Sequence, residues 1–143
     1  GLRTYEQLAE DCTYDKQLLL EVLALRSAGQ DFFKVDPITE PDWAAFVAEQ
    51  TPPPLPADMP VFLAQGTADE IVLAWPNAKL QETWCAAGST ISSVWMGGVV
   101  HLAAATTSGP SAVVWIADRF ADRPAPRTCN VPPPVAPEAP TTP

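Results

Sequence analysis

The sequence lacks several features that mark common classes of protein. No apolar run approaches the roughly 18 to 20 residues that a membrane-spanning helix needs, so we expect no transmembrane segment. Basic residues are few, 8 against 17 acidic ones, and the net charge of -9 repels the phosphate backbone of nucleic acids. A phosphate-binding loop and a dinucleotide-binding glycine pattern are also absent. We therefore expect no nucleic-acid partner and no nucleotide cofactor.

Histidine and cysteine are scarce as well. With one histidine and three cysteines that lack C-x-x-C spacing, a metal site is hard to assemble, so no metal is expected. Disulfide bonding is the better explanation for Cys12, Cys85 and Cys129. Because three is an odd number, one cysteine is free, pairs with another chain, or has its partner in a segment outside this sequence.

Residues 1–56 are predicted to form a helical segment that ends in a proline-rich boundary. A capping box and a repeat of apolar residues indicate one helix before Gly29. A second helix is predicted to start at Pro41, since proline suits the first helical position. Four prolines within residues 51–56 remove backbone donors and disfavour helical angles, so they separate this segment from the rest.

Residues 57–123 carry the pattern of an α/β fold. The apolar run at residues 61–64 is typical of a strand buried on both faces in a parallel sheet. A helix that opens at Pro76 and a β-rich stretch over residues 90–95 follow it. A further amphipathic helix is predicted over residues 108–120. The expected fold class is therefore α/β, with a strand, helix, strand unit at its centre.

Residues 124–143 consist largely of proline, alanine, valine and threonine, with almost no periodicity. A segment of this composition buries too little apolar surface to offset the entropy cost of ordering it. We expect a disordered or polyproline-like tail.

Two residues that could carry chemistry follow the two predicted strands. Asp69 comes directly after the first strand, and His101, the only histidine, comes just after the second. Taken singly, such an aspartate is often an Asx turn or helix cap, and a lone histidine is often a surface or core residue. Their separation of 32 residues, however, matches one strand-helix-strand unit, which brings both loops to the same sheet edge. The spacing predicts that the two side chains meet.

An aspartate followed by a histidine matches the last two members of a Ser-Asp-His triad, in which the carboxylate orients the imidazole. A G-x-S-x-G nucleophile elbow is absent, and the strand-turn-helix context of such an elbow is missing around Ser89, Ser92, Ser93, Ser108 and Ser111. Because the serine precedes the acid in α/β-hydrolases, we expect it upstream of this chain. The alternative is a catalytically inert binding or cell-surface module that keeps hydrolase-like elements.

Five stretches carry a more specific resemblance: MPVFLAQGTADEIV (residues 59–72), WC (84–85), His101, WIADRF (115–120) and Cys129. Together they resemble the secretory lipase family, α/β-hydrolases of the lipase A type, over about residues 40–129. The family's aspartate and histidine carry over to Asp69 and His101. The resemblance also implies a disulfide between Cys85 and Cys129, which leaves Cys12 as the odd one.

The family resemblance implies a secreted carboxylic ester hydrolase, similar to a triacylglycerol lipase, that acts on lipid esters without a cofactor. The chain would be the C-terminal part of an α/β-hydrolase fold with an incomplete sheet, and its partner would be the N-terminal half of the same enzyme. Residues 1–56 would then belong to a helical lid at the lipid interface. The resemblance does not assign roles to single lid residues. Side chains on this segment that could contact an acyl chain are Phe32, Phe33, Trp43 and Phe46, although an amphipathic helix is more often packed on its own domain.

Overall fold

The structure is a computed structural model that describes residues 35–139. The chain divides into two compact units, Gly1–Thr51 and Pro52–Pro143. The predictions that fall outside the described residues concern the helix before Gly29, the pairing of Cys12, the contacts of Phe32 and Phe33, and the tail beyond residue 139.

The described part of the first unit is helical. A short 3-10 helix, Pro37–Thr39, precedes helix α1, Pro41–Gln50. Helix α1 begins at Pro41 as predicted, because the fixed φ of proline suits the first helical position and no donor is needed there. The rings of Trp43 and Phe46 pack edge to face, with centroids 6.1 Å apart, and both side chains are exposed.

A strand, helix, strand unit forms the centre of the second unit. Strand β1, Val61–Gly66, leads into helix α2, Ala74–Ala86, which is followed by strand β2, Ile91–Met96. The two strands pair in parallel, with Val61 opposite Ile91. This confirms the predicted α/β architecture at the level of mixed helices and a parallel sheet. Within the described residues the sheet has two strands.

Strand β1 is less buried than the sequence predicts. Residues 61–64 are only half-buried, whereas the sequence predicts a strand covered on both faces. The buried apolar side chains are instead Ala74, Ala78, Trp84, Ile91 and Met96. Among the described residues β1 is an edge strand, with β2 on one side and no strand on the other. Its side chains therefore lack cross-strand neighbours on that other side.

Helix α3, His101–Phe120, begins seven residues earlier than the start predicted at residue 108. The amphipathic pattern predicted only the later part of this helix. Ser108, Gly109 and Pro110 are poor helix formers, but the helix continues through them. The hydroxyl of Ser108 donates to the Ala104 carbonyl (2.8 Å), and Pro110 removes a single backbone donor. The correction makes His101 the first residue of a helix.

Residues 124–131, named here the C-terminal strap, lie along β2. The backbone N–H of Thr128 donates to the Ile91 carbonyl, and the Ser93 N–H donates to the Thr128 hydroxyl, both at 2.8 Å. The hydroxyl of Ser92 also donates to the Pro126 carbonyl. These hydrogen bonds fix part of the segment that the composition predicts to be disordered or polyproline-like. They join residues more than 30 positions apart, so they leave no local signal in the sequence.

A disulfide between Cys85 and Cys129 joins the end of α2 to the C-terminal strap, which confirms the pairing implied by the family resemblance. The two cysteines are 44 residues apart. Closing a loop of that length lowers the entropy of the unfolded chain and so stabilises the fold by about 4 kcal/mol. Replacing both by alanine should lower the free energy of unfolding by about that amount, measured by urea denaturation. A reducing agent should remove the difference from wild type, and an unchanged unfolding midpoint would contradict the prediction.

Candidate active site

The loop after β1, residues 67–72, is named here the acid loop, and it holds Asp69 in a defined orientation. The Asp69 carboxylate accepts backbone hydrogen bonds from Ile71 (3.0 Å) and Val72 (2.8 Å) through Oδ1. Its side chain is 5% exposed. Asp69 therefore does form the local turn that a structural aspartate would form, and it does so with a carboxylate that is nearly buried.

His101 reaches the same carboxylate from the start of α3. Its Nδ1 lies 3.1 Å from both Oδ1 and Oδ2 of Asp69. The two loops meet at the carboxyl ends of β1 and β2, where the 32-residue spacing placed them. The imidazole is 36% exposed, so solvent or a second molecule can reach the ring. The structure thus brings the two predicted site residues together.

The chemistry of the pair fixes which imidazole nitrogen carries the proton. An ionised carboxylate only accepts hydrogen bonds, so Nδ1 of His101 must be the donor to Asp69. In the neutral ring Nε2 then keeps its lone pair and can accept a proton from another group. This tautomer, held by a buried carboxylate, is the form that a general base requires.

Opposing effects set the pKa of Asp69. Burial raises the pKa, since it disfavours the charged form. The hydrogen bond from His101, those from the Ile71 and Val72 backbone, and the attraction of a charged imidazole together outweigh burial. The pKa of Asp69 consequently lies below its ordinary value of 3.8, and the carboxylate is charged at neutral pH.

The acid loop is hydrogen-bonded to the segment before His101 through contacts that the sequence did not predict. The backbone of Ala68 donates to the Val99 carbonyl (3.2 Å), and the Gly98 backbone donates to the Thr67 hydroxyl (2.9 Å). At Gly66 a Cβ atom would lie 2.2 Å from the same Val99 carbonyl oxygen, so only glycine fits. The one sequence feature that could have indicated this close approach is Gly66 at the end of β1.

Glu70, the residue after Asp69, is exposed and accepts a hydrogen bond from the start of α3. The backbone N–H of His101 donates to Glu70 Oε2 at 3.4 Å. This contact satisfies one of the free donors at the N-terminus of α3. It is a link between the two loops rather than a second acid.

No hydroxyl of the described residues hydrogen-bonds the His101 ring. Three of the serines considered above make other contacts: Ser89 donates to Leu55, Ser92 to Pro126, and Ser108 to Ala104. Over the same residues, no group of three or more His, Cys, Asp and Glu side chains could hold a metal ion. None of the helices described there is long and apolar enough to cross a membrane.

The fold and the site define an α/β protein with a carboxylate and imidazole pair at the carboxyl ends of two parallel strands. The chain belongs to the secretory lipase family, because the family model described as Secretory lipase matches residues 4–128. This confirms the resemblance predicted from the sequence stretches around the two site residues.

The chain is also similar to Lipase 5 of Candida albicans, with 36% identity over 63 residues. The matched stretch is 43% of this chain and 14% of that protein, so it spans a small part of the relative's length. No solved structure matches the chain.

Proposed function

We propose that the chain is part of a lipase that hydrolyses lipid esters with a Ser-Asp-His triad, in which Asp69 is the acid and His101 the base. The observation that carries the proposal is the 3.1 Å approach of His101 Nδ1 to both carboxylate oxygens of Asp69. Membership of the secretory lipase family supports the reaction class.

In the proposed mechanism Nε2 of His101 takes the proton from the serine hydroxyl as the hydroxyl oxygen attacks the ester carbonyl carbon. The imidazolium that forms is stabilised by Asp69, and it then gives its proton to the departing alcohol. Water hydrolyses the acyl-enzyme by the same route, with His101 as the base again. Neither step requires a metal or an organic cofactor.

The serine is proposed to come from the N-terminal half of the same enzyme, which would complete an α/β-hydrolase fold. Support comes from the outer edge of β1. The backbone N–H of Val61 donates to Thr90, next to β2, so Phe62 and Ala64 direct their backbone groups to the other side. No strand pairs with that side within residues 35–139. An open edge of this kind is where a further strand fits.

A secreted enzyme that acts on lipid is proposed on two grounds. The disulfide between Cys85 and Cys129 suits an oxidising compartment, and the family is one of secretory lipases. The exposed rings of Trp43 and Phe46 support a lid role for the first unit, because amphipathic aromatic surface favours a lipid interface. The lipid ester and the N-terminal half are thus the two proposed partners.

Covalent labelling tests the location of the nucleophile. An alkylphosphonate ester with a nitrophenol leaving group should phosphonylate one serine of the complete enzyme and release nitrophenol. Peptide mass mapping is expected to place the label outside these 143 residues, and His101→Ala should prevent labelling. A label within this chain would overturn the proposed location. Absence of both labelling and ester hydrolysis in the complete enzyme would favour the inert binding module.

A further inference from the structure

Gln65, near the end of β1, is a buried polar side chain that the proposed mechanism does not use. It is 3% exposed and follows an apolar run, so its amide loses hydration that must be replaced. Nε2 donates to the carbonyls of Gly66 (2.9 Å) and Val72 (3.0 Å). Oε1 accepts from the side-chain amide of Asn77 on α2. Both ends of the amide are therefore satisfied.

Val72 connects this amide to the acid. Its backbone N–H donates to Asp69 Oδ1 at 2.8 Å, while its carbonyl accepts from Gln65. A continuous series of hydrogen bonds thus runs from Asn77 through Gln65 and Val72 to Asp69, whose oxygens lie 3.1 Å from His101. Gln65 is the only side chain in the described residues that donates a hydrogen bond to the Val72 carbonyl.

We propose that Gln65, oriented by Asn77, is a positioning residue that fixes the acid loop and thereby the orientation of the Asp69 carboxylate toward His101. The inference rests on the proposed function of the Asp69 and His101 pair. Without the Gln65 amide, the Val72 carbonyl loses its buried donor, and residue 72 is held less firmly. The adjoining peptide, whose N–H donates to Asp69, then loses its fixed orientation. The carboxylate then loses one of its two backbone donors and its alignment with Nδ1.

Gln81 on α2 offers a matched control. It is also a buried glutamine, 2% exposed, with both ends of its amide satisfied. Its Nε2 donates to the Val131 carbonyl (3.0 Å), and its Oε1 accepts from the Trp95 indole (2.8 Å). Its hydrogen bonds reach the strap and β2 and do not touch the acid loop. Methionine is similar in size to glutamine, so replacing either residue by methionine removes one buried amide and keeps the side-chain volume.

The experiment compares kcat, KM and urea unfolding of Gln65→Met and Gln81→Met in the complete enzyme, with a short-chain nitrophenyl ester as substrate. Both variants should lose stability to a similar extent. Gln65→Met should in addition lower kcat by about 10- to 100-fold with little change in KM, since misplacing a catalytic group by about 1 Å has an effect of that order. Gln81→Met should keep the wild-type kcat. Equal kcat values in the two variants would overturn the proposal.

A second variant keeps the test decisive if Gln65→Met does not fold. Asn77→Ala leaves Gln65 in place and removes only the donor that orients it, so a smaller loss of kcat is expected. Combining Asn77→Ala with Asp69→Asn should give no further loss beyond Asp69→Asn alone, because the effect passes through that carboxylate. Additive losses, or a wild-type kcat for Asn77→Ala, would refute a positioning role.

The outcomes separate this inference from the proposed function. If His101→Ala and Asp69→Asn both keep wild-type activity, the triad assignment itself fails. If both lose activity while Gln65→Met and Asn77→Ala do not, only the positioning role fails.

Discussion

His101→Ala is expected to lower kcat of the complete enzyme by about 10,000-fold, because it removes the group that accepts the serine proton and then protonates the leaving alcohol. The ring is 36% exposed and its main partner is the Asp69 carboxylate, so the stability of the fold should change little. The measurement is steady-state hydrolysis of a nitrophenyl ester, with thermal unfolding of the same preparations.

Thr106→Ala is the matched control for His101→Ala. Thr106 lies on the same helix, is exposed, and hydrogen-bonds only to the Ala103 carbonyl through its hydroxyl. It should keep the wild-type kcat. An unchanged rate in His101→Ala would remove the imidazole from the mechanism, and a large loss in both variants would point to damage to α3 instead.

The meeting of Asp69 and His101 could be predicted from the sequence because it depends on topology alone. An apolar strand, a helix and a second strand, each recognisable from local sequence patterns, favour parallel pairing of the strands and bring both following loops to one edge of the sheet. The 32-residue separation then suffices to place the two side chains together, with no knowledge of the packing. The disulfide was not accessible in this way and came only from the family resemblance.

The features that local patterns missed depend on contacts between distant residues. The hydrogen bond from Thr128 to Ile91 orders a proline-rich stretch whose own composition predicts disorder. Helix α3 extends back to His101 across Ser108 and Pro110 despite the low helix propensity of such residues, and its first N–H donates to Glu70 in the acid loop. Gln65 was passed over for the same reason, since the partners of its amide come from a loop and from α2.

Asp69→Asn should lower kcat by about the same 10,000-fold, although it changes the shape of the side chain very little. Asparagine Oδ1 can still accept from the Ile71 and Val72 backbone, so the acid loop should keep its conformation. Its other terminal atom is now an NH₂ donor facing His101. The imidazole is thereby driven to accept at Nδ1 and to carry its proton on Nε2, which leaves no base for the serine.

Asp58→Asn provides the charge control for Asp69→Asn. Asp58 is an exposed aspartate just before β1, so its replacement changes the net charge equally without touching the pair. It should leave kcat unchanged. A wild-type rate in Asp69→Asn would mean that the imidazole tautomer is set by something other than this carboxylate.

Asp69→Asn should also change how the free energy of unfolding depends on pH, since the hydrogen bonds that orient the Asp69 carboxylate are those that lower its pKa. With a folded pKa below the ordinary 3.8, the stabilisation from the charged carboxylate is complete above 3.8 and is lost as the pH falls through the folded value. Asparagine does not titrate, so the free energy of unfolding of Asp69→Asn, measured with urea, should fall less steeply in acid than that of the wild type. Parallel curves for the two proteins would show that the carboxylate is no better stabilised in the folded state than in the unfolded chain. A shallower acid slope together with the loss of kcat would trace both effects to one buried, hydrogen-bonded charge.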